Sequence, residues 1–233
     1  MLIIAHRGIG EPRNTITAFE RAVEHGFGVE FDVGVTGDGR LVVLHDPEFT
    51  SGGGTYRVKD VSLRELRALH PLGELIPTVE EILDVSASRG ATLNADVKDP
   101  EAAPRLVELA SGFGALDRVI FSSTDPKVLL MIRRLSGDAR LAFSIVRERD
   151  IAAFPWLKAR LSLYSLHVPL DGVDRVSMPI FKLLVRWARL IGLKIGFWSY
   201  EADELSYLPR LMGYFDYVIA DDPVRVRKLL GLG

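Results

Sequence analysis

The chain predicts an α/β fold closed as an eight-stranded parallel barrel, a (β/α)8 architecture, with an additional hairpin strand after the second barrel strand. Three observations lead there. Strand-like apolar runs alternate with helical periods along the 233 residues, and alternating β and α elements imply a parallel sheet. Nine strand-like segments are present, and one of them returns through a four-residue turn too short for a parallel crossover, which leaves eight. Chemically distinctive residues, among them His6, Asp32, Asp96, Lys98, Trp198 and Asp221, fall at the C-terminal ends of the runs, the face on which such barrels carry their sites. An open doubly wound sheet would scatter them along an edge-to-edge crevice.

The elements follow in order. Residues 2–6, Leu-Ile-Ile-Ala-His, read as the first strand, with a helical pattern near 15–25. In 28–35, apolar Val29, Phe31 and Val33 alternate with Glu30 and Asp32, so both carboxylates share one face. Thr36-Gly-Asp-Gly39 is a hairpin signal, and 41–45 must return antiparallel. With Asp38-Gly39 as the two-residue turn, His45 lies opposite Asp32; with Gly37-Asp38, it faces Glu30. Directly opposed residues have Cβ atoms roughly 5 Å apart, so either register sets an imidazole beside two carboxylates. The insertion around 46–61 contains Thr50-Ser-Gly-Gly-Gly-Thr55. Triple glycine can cradle phosphate, but no Lys-Ser/Thr follows and no helix begins there, so a flexible loop over the barrel mouth is expected.

Helical patterns lie near 62–69 and 78–89. The strand at 91–97 alternates again and puts Asn94, Asp96 and, just beyond it, Lys98 on one face. Strands at 118–122, 140–145, 161–167, 193–198 and 216–220 then alternate with helices near 101–112, 126–135, 148–157, 178–191, 201–211 and 223–230. On the helix at 178–191, Lys182, Arg186 and Arg189 form a solvated stripe, and Phe181, Leu184, Trp187, Leu190 and Ile191 are assigned to packing against the core.

Composition narrows the function classes. Hydrophobic content of 48% supports one large domain over 1–233, and no Pro/Ser-rich or charge-run boundary divides it. A formal net charge of −2 gives no bulk electrostatic reason to expect nucleic acid or anionic lipid as a partner. The absence of cysteine excludes disulfides, thiolate nucleophiles and Cys-ligated zinc. No signal peptide is evident, and the apolar segment 178–198 is interrupted by Lys182, Arg186, Arg189 and Lys194, so a cytoplasmic protein without stable membrane insertion is expected.

Each candidate site residue has an ordinary structural alternative. A lone Glu-x-Asp usually belongs to a solvated sheet face, and Lys98 could pair with Asp99. Convergence favours chemistry, because separate segments bring His6, Glu30, Asp32, His45 and Asp96 to strand ends flanked by Ile, Val and Phe. Three carboxylates with water make a hard oxygen site, suited to Mg²⁺ or Ca²⁺ more than to softer ions. Arg7 and Lys98 can neutralise a phosphate. A metal-assisted phosphodiesterase is the reading these parts support.

His6-Arg-Gly8, Asn14-Thr-x-x-Ala-Phe19, Glu30-x-Asp-Val33, Thr36-x-Asp-Gly39, Val42-Val-x-His-Asp46, Ile76-Pro-Thr-x-Glu-Glu81, Trp198 and Asp221-x-Pro223 follow in order the pattern of the glycerophosphodiester phosphodiesterase family. The resemblance implies a barrel of the triosephosphate isomerase type. It also implies divalent-cation-dependent cleavage of a glycerophosphodiester, the small-molecule partner, to sn-glycerol 3-phosphate and an alcohol, with Mn²⁺ a further candidate ion. By the same resemblance His6 and His45 match the acid/base pair, Glu30 and Asp32 metal ligands, and Arg7, Lys98 and Trp198 substrate-contacting positions. Asp96 stands where the family usually has a third, glutamate ligand. Arg13 replaces the glutamate that usually precedes Asn-Thr, reversing the local charge.

Two other classes are carried alongside. A lysophospholipase D or phosphoinositide-type phospholipase would show an apolar rim at the barrel mouth, for which Phe49, Tyr56, Phe154 and Trp156 are the candidates. A barrel without activity is motivated only by Arg13 and Asp96.

Overall fold

The computed structural model describes residues 1–200 and 203–232. Its strands are β1 (Leu2–His6), β2 (Gly28–Val35), β3 (Leu41–Val43), β4 (Glu48–Ser51), β5 (Gly54–Arg57), β6 (Leu93–Val97), β7 (Val119–Ser123), β8 (Arg140–Ser144), β9 (Ser165–Pro169), β10 (Lys194–Trp198) and β11 (Tyr217–Ala220). β1, β2 and β6 to β11 pair in parallel, and β1 bonds both β2 and β11, so the eight close into the expected barrel. β3 pairs antiparallel with the C-terminal end of β2, outside the closed ring.

The helices are α1 (Ile16–Glu24), α2 (Leu63–Leu69), α3 (Val79–Ala87), α4 (Ala103–Gly112), α5 (Pro126–Leu135), α6 (Glu148–Leu161), α7 (Gly172–Val176), α8 (Met178–Leu190), α9 (Glu204–Tyr207) and α10 (Pro223–Leu229). Thr15 caps α1, and Ser62 with Glu65 and Thr78 with Glu81 form reciprocal capping boxes at α2 and α3, satisfying amides that have no partner within the helix. The helix expected near 201–211 starts outside the described residues; within them it is α9 followed by a 3-10 turn over Leu208–Leu211.

The main core fills the layer between strands and helices, with Phe19, Phe31, Phe121, Phe143 and Phe197 among its largest buried side chains. A smaller cluster of Ile4, Ile120, Ala142, Tyr217 and Ile219 comes from strands distributed around the barrel, as side chains filling its interior must. Gly196 belongs to this interior packing: a Cβ there would lie 2.3 Å from the Tyr217 ring.

Several boundaries differ from the sequence expectations. β9 begins four residues later than the expected 161–167 strand, because α6 runs to Leu161 despite Pro155 inside it. The insertion is no irregular loop but a hairpin, β4 to β5, turning at Gly52-Gly53 with φ of 55° and 81°. Adjacent positive φ values are what a two-residue hairpin turn with strand-matching twist requires. The hairpin has its own small core of Val42, Phe49, Val58, Leu66 and Ile76. On α8, Phe181, Val185 and Ala188 face the core, but Trp187 and Leu190 remain 40% and 85% exposed. The expected solvated stripe is also occupied: Lys182 and Arg186 sit over the Tyr214 ring, and Arg189 donates to the Gly213 carbonyl. Among the described residues, no helix is long and apolar enough to cross a membrane.

Candidate active site

The site lies at the C-terminal ends of the barrel strands. One cavity of about 510 Å³ is lined by His6, Arg7, Glu30, Asp32, His45, Asp96, Lys98 and Trp198 together, all eight residues singled out from the sequence. Parallel register sets His6 beside Glu30, Glu30 beside Asn94, and Asp32 beside Asp96. Two-residue alternation then aims Glu30, Asp32, Asn94 and Asp96 into the barrel.

The backbone after β1 is shaped for this. Arg7 and Gly8 have φ of 58° and 84°, and a Cβ on Gly8 would lie 2.7 Å from the Ala18 backbone, so the chain passes under α1 only with glycine there. The turn lets the Arg7 amide donate to Glu30 Oε2 at 3.2 Å while its Nε lies 3.0 Å from Asp32 Oδ2.

The carboxylates occupy unequal environments. Burial, then the charges of Asp32 and Asp96, push Glu30 well above the ordinary carboxylate range. Asp96 is pushed up as well, chiefly by burial, although Ser122 Oγ donates to it at 3.1 Å. Burial also opposes ionisation of Asp32, but the Lys98 ammonium at 2.8 Å and the Arg7 guanidinium more than offset it and hold Asp32 below its usual value. Asn14 Nδ2 donates to the same carboxylate at 3.3 Å. Lys98 therefore pairs with neither Asp99 nor Asp96.

Both histidines have a carboxylate behind them. His6 Nδ1 donates to Asp221 Oδ1 at 2.9 Å, which leaves Nε2 towards the pocket, 3.8 Å from Glu30 Oε2. The hydrogen bond from His6, helped by Arg13, lowers the Asp221 pKa against a smaller effect of burial. Arg13 also pairs with Glu11, so the reversed charge at this position is absorbed within the β1–β11 corner. His45 Nδ1 donates to Asp46 Oδ1 at 2.6 Å. His45 does not sit on a strand, because β3 ends at Val43, and neither expected register occurs. Val33 pairs with Val43 and Val35 with Leu41, which centres the turn on Asp38 and would set position 45 against Phe31. The imidazole reaches the cavity from the loop after β3 instead.

Sequence reasoning gave no role to several groups that line the same cavity. Asp221 lay at an expected strand end, but its pairing with His6 spans 215 positions and has no local signal. Ser122, Ser144 and His167 complete the floor. His167 contacts Ser144 Oγ at 3.3 Å and Tyr217 Oη at 2.8 Å, and burial pushes its pKa down to about 3, so it stays neutral. Trp198 Nε1 is buried without a hydrogen-bond partner, a donor aimed at nothing in the protein.

A hard divalent cation fits this donor set. Two buried carboxylates are poorly compensated, and the buried Asn94 Oδ1 has no hydrogen-bond partner, all oxygen donors of the kind such ions take. Among the described residues, no three His, Asp or Glu side chains close tightly enough to enclose an ion, and Asp32 is engaged by Lys98 and Arg7.

Beyond the cavity, Glu204 accepts the Asp222 amide through Oε1, while Oε2 is buried without a partner. Burial pushes its pKa up to about 7. A carboxyl whose folded value is raised contributes stability in full below its unfolded value and loses it as pH rises through the folded one. Glu204→Gln is therefore expected to raise the melting temperature at pH 8, by on the order of 5 °C, and to change little at pH 4. Thermal melts at both values check it; an equal change at both would assign the effect to packing.

Fold and site together define a (β/α)8-barrel enzyme whose mouth pairs buried carboxylates with two carboxylate-backed histidines and two cations. The sequence profile of the Glycerophosphoryl diester phosphodiesterase family matches residues 6–225. A glycerophosphodiester phosphodiesterase of Caldanaerobacter subterraneus is 30% identical, with 100% of this chain and 98% of that protein covered. The crystal structure of a Thermotoga maritima glycerophosphodiester phosphodiesterase superposes with a TM-score of 0.82 at 28% identity, covering 98% of each chain. A phosphodiesterase of Oleispira antarctica, solved with its product sn-glycerol 3-phosphate, has the same fold, with a TM-score of 0.79 at 23% identity over 99% of this chain and 97% of that one. The chain belongs to the glycerophosphoryl diester phosphodiesterase family and is an enzyme of that class, a phosphoric diester hydrolase.

Proposed function

We propose that this barrel, acting as one catalytic domain over 1–233, hydrolyses glycerophosphodiesters to sn-glycerol 3-phosphate and an alcohol, with His6 and His45 as the acid/base pair. The observation that carries the reading is the single cavity on which His6, His45, Glu30, Asp32, Asp96, Arg7 and Lys98 converge. Its volume of about 510 Å³ suits a small polar ligand. The product bound to the Oleispira antarctica phosphodiesterase supports the same substrate class.

Arg7 reaches Asp32 through Nε, which leaves its two Nη groups for an anion, and Lys98 uses one of its three donors on Asp32. Both can hold a phosphate against the wall of β2 and β6. Asp221 and Asp46 fix Nδ1 of His6 and His45 as donors, so each Nε2 exchanges protons with substrate. One imidazole removes the proton of the attacking hydroxyl as its oxygen bonds to phosphorus, and the other protonates the departing alkoxide. With water as nucleophile sn-glycerol 3-phosphate forms directly, and with the glycerol 2-hydroxyl a cyclic phosphate forms that a water molecule then opens, the two imidazoles exchanging roles. Glu30, Asp32 and Asp96 are the residues that would hold Mg²⁺, Ca²⁺ or Mn²⁺, which when bound would polarise the phosphoryl oxygens and offset the clustered negative charge.

The test is release of sn-glycerol 3-phosphate from a panel of glycerophosphodiesters by purified protein, before and after chelation. Turnover is expected to vanish on chelation and to return with one of the three ions. Full turnover at verified negligible metal content would overturn the cation dependence, and no release with any ion would overturn the reaction.

A further inference from the structure

The outer faces of α6 and α8 carry large apolar side chains left open to solvent. On α8, Ile180, Leu183, Trp187 and Leu190 recur at intervals of three and four residues and stay 51%, 67%, 40% and 85% exposed. At about 100° per residue that spacing confines them to an arc of roughly 80°, turned away from Phe181, Val185 and Ala188, which face the core. Trp187 packs on Phe154 of α6 with ring centres 4.9 Å apart, so the two helices are neighbours and α6 extends the surface. Of the aromatic residues considered for a lipid-facing rim at the barrel mouth, Phe49 and Phe154 are buried in cores, and only Trp156 is open, at 62%. The apolar surface therefore lies along the flank of the barrel and not around its mouth.

The charges beside this surface are mostly of one sign. Lys182, Arg186 and Arg189 occupy the arc of α8 next to the apolar one, and the helix has no acidic residue along Met178–Leu190. Arg189 is offset by Asp216 at 3.5 Å. Lys182 and Arg186 lie over the Tyr214 ring, a contact that holds them at the edge of the stripe and leaves their charge intact. Arg160 lies over the Trp156 ring in the same way. The acidic residues of α6, Glu148 and Asp150, are confined to its first turn, where Asp150 accepts the amides of Val146 and Arg147. A net charge of −2 for the whole chain conceals this local excess of cations.

An apolar stripe of this kind is covered by a second copy of the chain or by a lipid surface. A twofold contact between copies would bring Arg160, Lys182 and Arg186 against their own equivalents, where α8 has no carboxylate to pair them. An anionic bilayer supplies what the surface lacks: apolar depth for Leu183, Leu190 and the two indoles, and negative charge for the cations at their edge. We propose that α6 and α8 form a docking face for an anionic phospholipid bilayer, on which the enzyme adsorbs without spanning it. Barrel helices run beside their strands, so a bilayer against this flank leaves the mouth of the catalytic cavity open to soluble diesters. The proposal concerns where the enzyme sits, not what it cleaves, and it holds or fails independently of the reaction proposed above.

The test is co-sedimentation of the full chain with vesicles of phosphatidylcholine alone and of equimolar phosphatidylcholine and phosphatidylglycerol. Each Lys or Arg near an anionic surface favours binding by about fivefold, so binding is expected to be at least tenfold stronger on the mixed vesicles and to weaken as salt rises. Leu183→Gln combined with Leu190→Gln is expected to weaken it at least tenfold. Arg160→Gln combined with Arg186→Gln is expected to remove most of the preference for phosphatidylglycerol, and this pair serves if the first does not fold. Tryptophan fluorescence is expected to be quenched by lipids brominated on their acyl chains, and less so in Trp156→Phe, which adsorption through charge alone would not produce. No binding to either vesicle, or binding that none of these substitutions weakens, would overturn the proposal. So would a stable dimer in the absence of lipid, seen by light scattering, that the leucine substitutions convert to monomer, because the face would then belong to a second copy.

Discussion

His6→Ala and His45→Ala are each expected to lower turnover by roughly two to four orders of magnitude, the usual worth of a positioned general acid or base, with circular dichroism unchanged. The site geometry sharpens the expectation. Each imidazole is backed through Nδ1 by a carboxylate, Asp221 for His6 and Asp46 for His45, and neither ring is part of a hydrophobic core. Removing them leaves the barrel its packing. An aryl diester whose leaving group departs without a proton separates the roles, because it restores turnover in the variant lacking the acid and not in the variant lacking the base. Losses of only a few-fold in both variants, or loss of the fold, would make the histidines structural.

Asp96→Asn is expected to raise the half-saturating concentration of the activating cation at least tenfold and to cut turnover at low cation, because affinity in an oxygen site follows the number of charged ligands. The competing role is visible in the structure: Asp96 accepts from Ser122. An asparagine could keep that bond through its carbonyl, so a purely structural Asp96 predicts little change in either stability or cation requirement. Since burial pushes the Asp96 carboxyl up, neutralising it could even stabilise the protein in the absence of cation. Titration of Mg²⁺, Ca²⁺ or Mn²⁺ against activity, with melts on the same samples, distinguishes the two. Asp96→Glu is expected to retain activity, and an unaltered cation dependence in Asp96→Asn would remove this residue from the site.

The barrel and the carboxylate face were legible because both depend on short-range periodicity. Glu30 and Asp32, then Asn94 and Asp96, occupy alternate positions within single strands, and alternation alone puts each pair on one face. Register across a turn is another matter. Thr36-Gly-Asp-Gly39 admits turns of two or three residues, and the pairing of Val33 with Val43 shows that the longer one forms, stabilised by the Thr36 hydroxyl on Asp38 at 2.6 Å. The β4–β5 hairpin was hidden by its three glycines, which suit a loop as well as a tight turn. Trp187 packs its ring on the buried Phe154 while remaining partly open, but Leu190 is exposed, because helical period identifies an apolar stripe without saying what covers it. Pairings such as His6 with Asp221, or His167 with Tyr217, are products of barrel closure and leave no local trace.

That closure has a consequence for how the protein is made. At the ribosome's pace of about 5–20 residues per second, the 215 positions between His6 and Asp221 separate their emergence by roughly 10–40 s. Until β11 has emerged, the edge of β1 that it covers in the folded barrel has no partner, and an uncovered edge of that kind invites pairing with a second nascent chain. The histidine lacks its carboxylate for the same period, so a partly synthesised chain holds most of the catalytic residues without the arrangement that would use them. Activity and protection from aggregation arrive in a single event, when β11 takes its place beside β1.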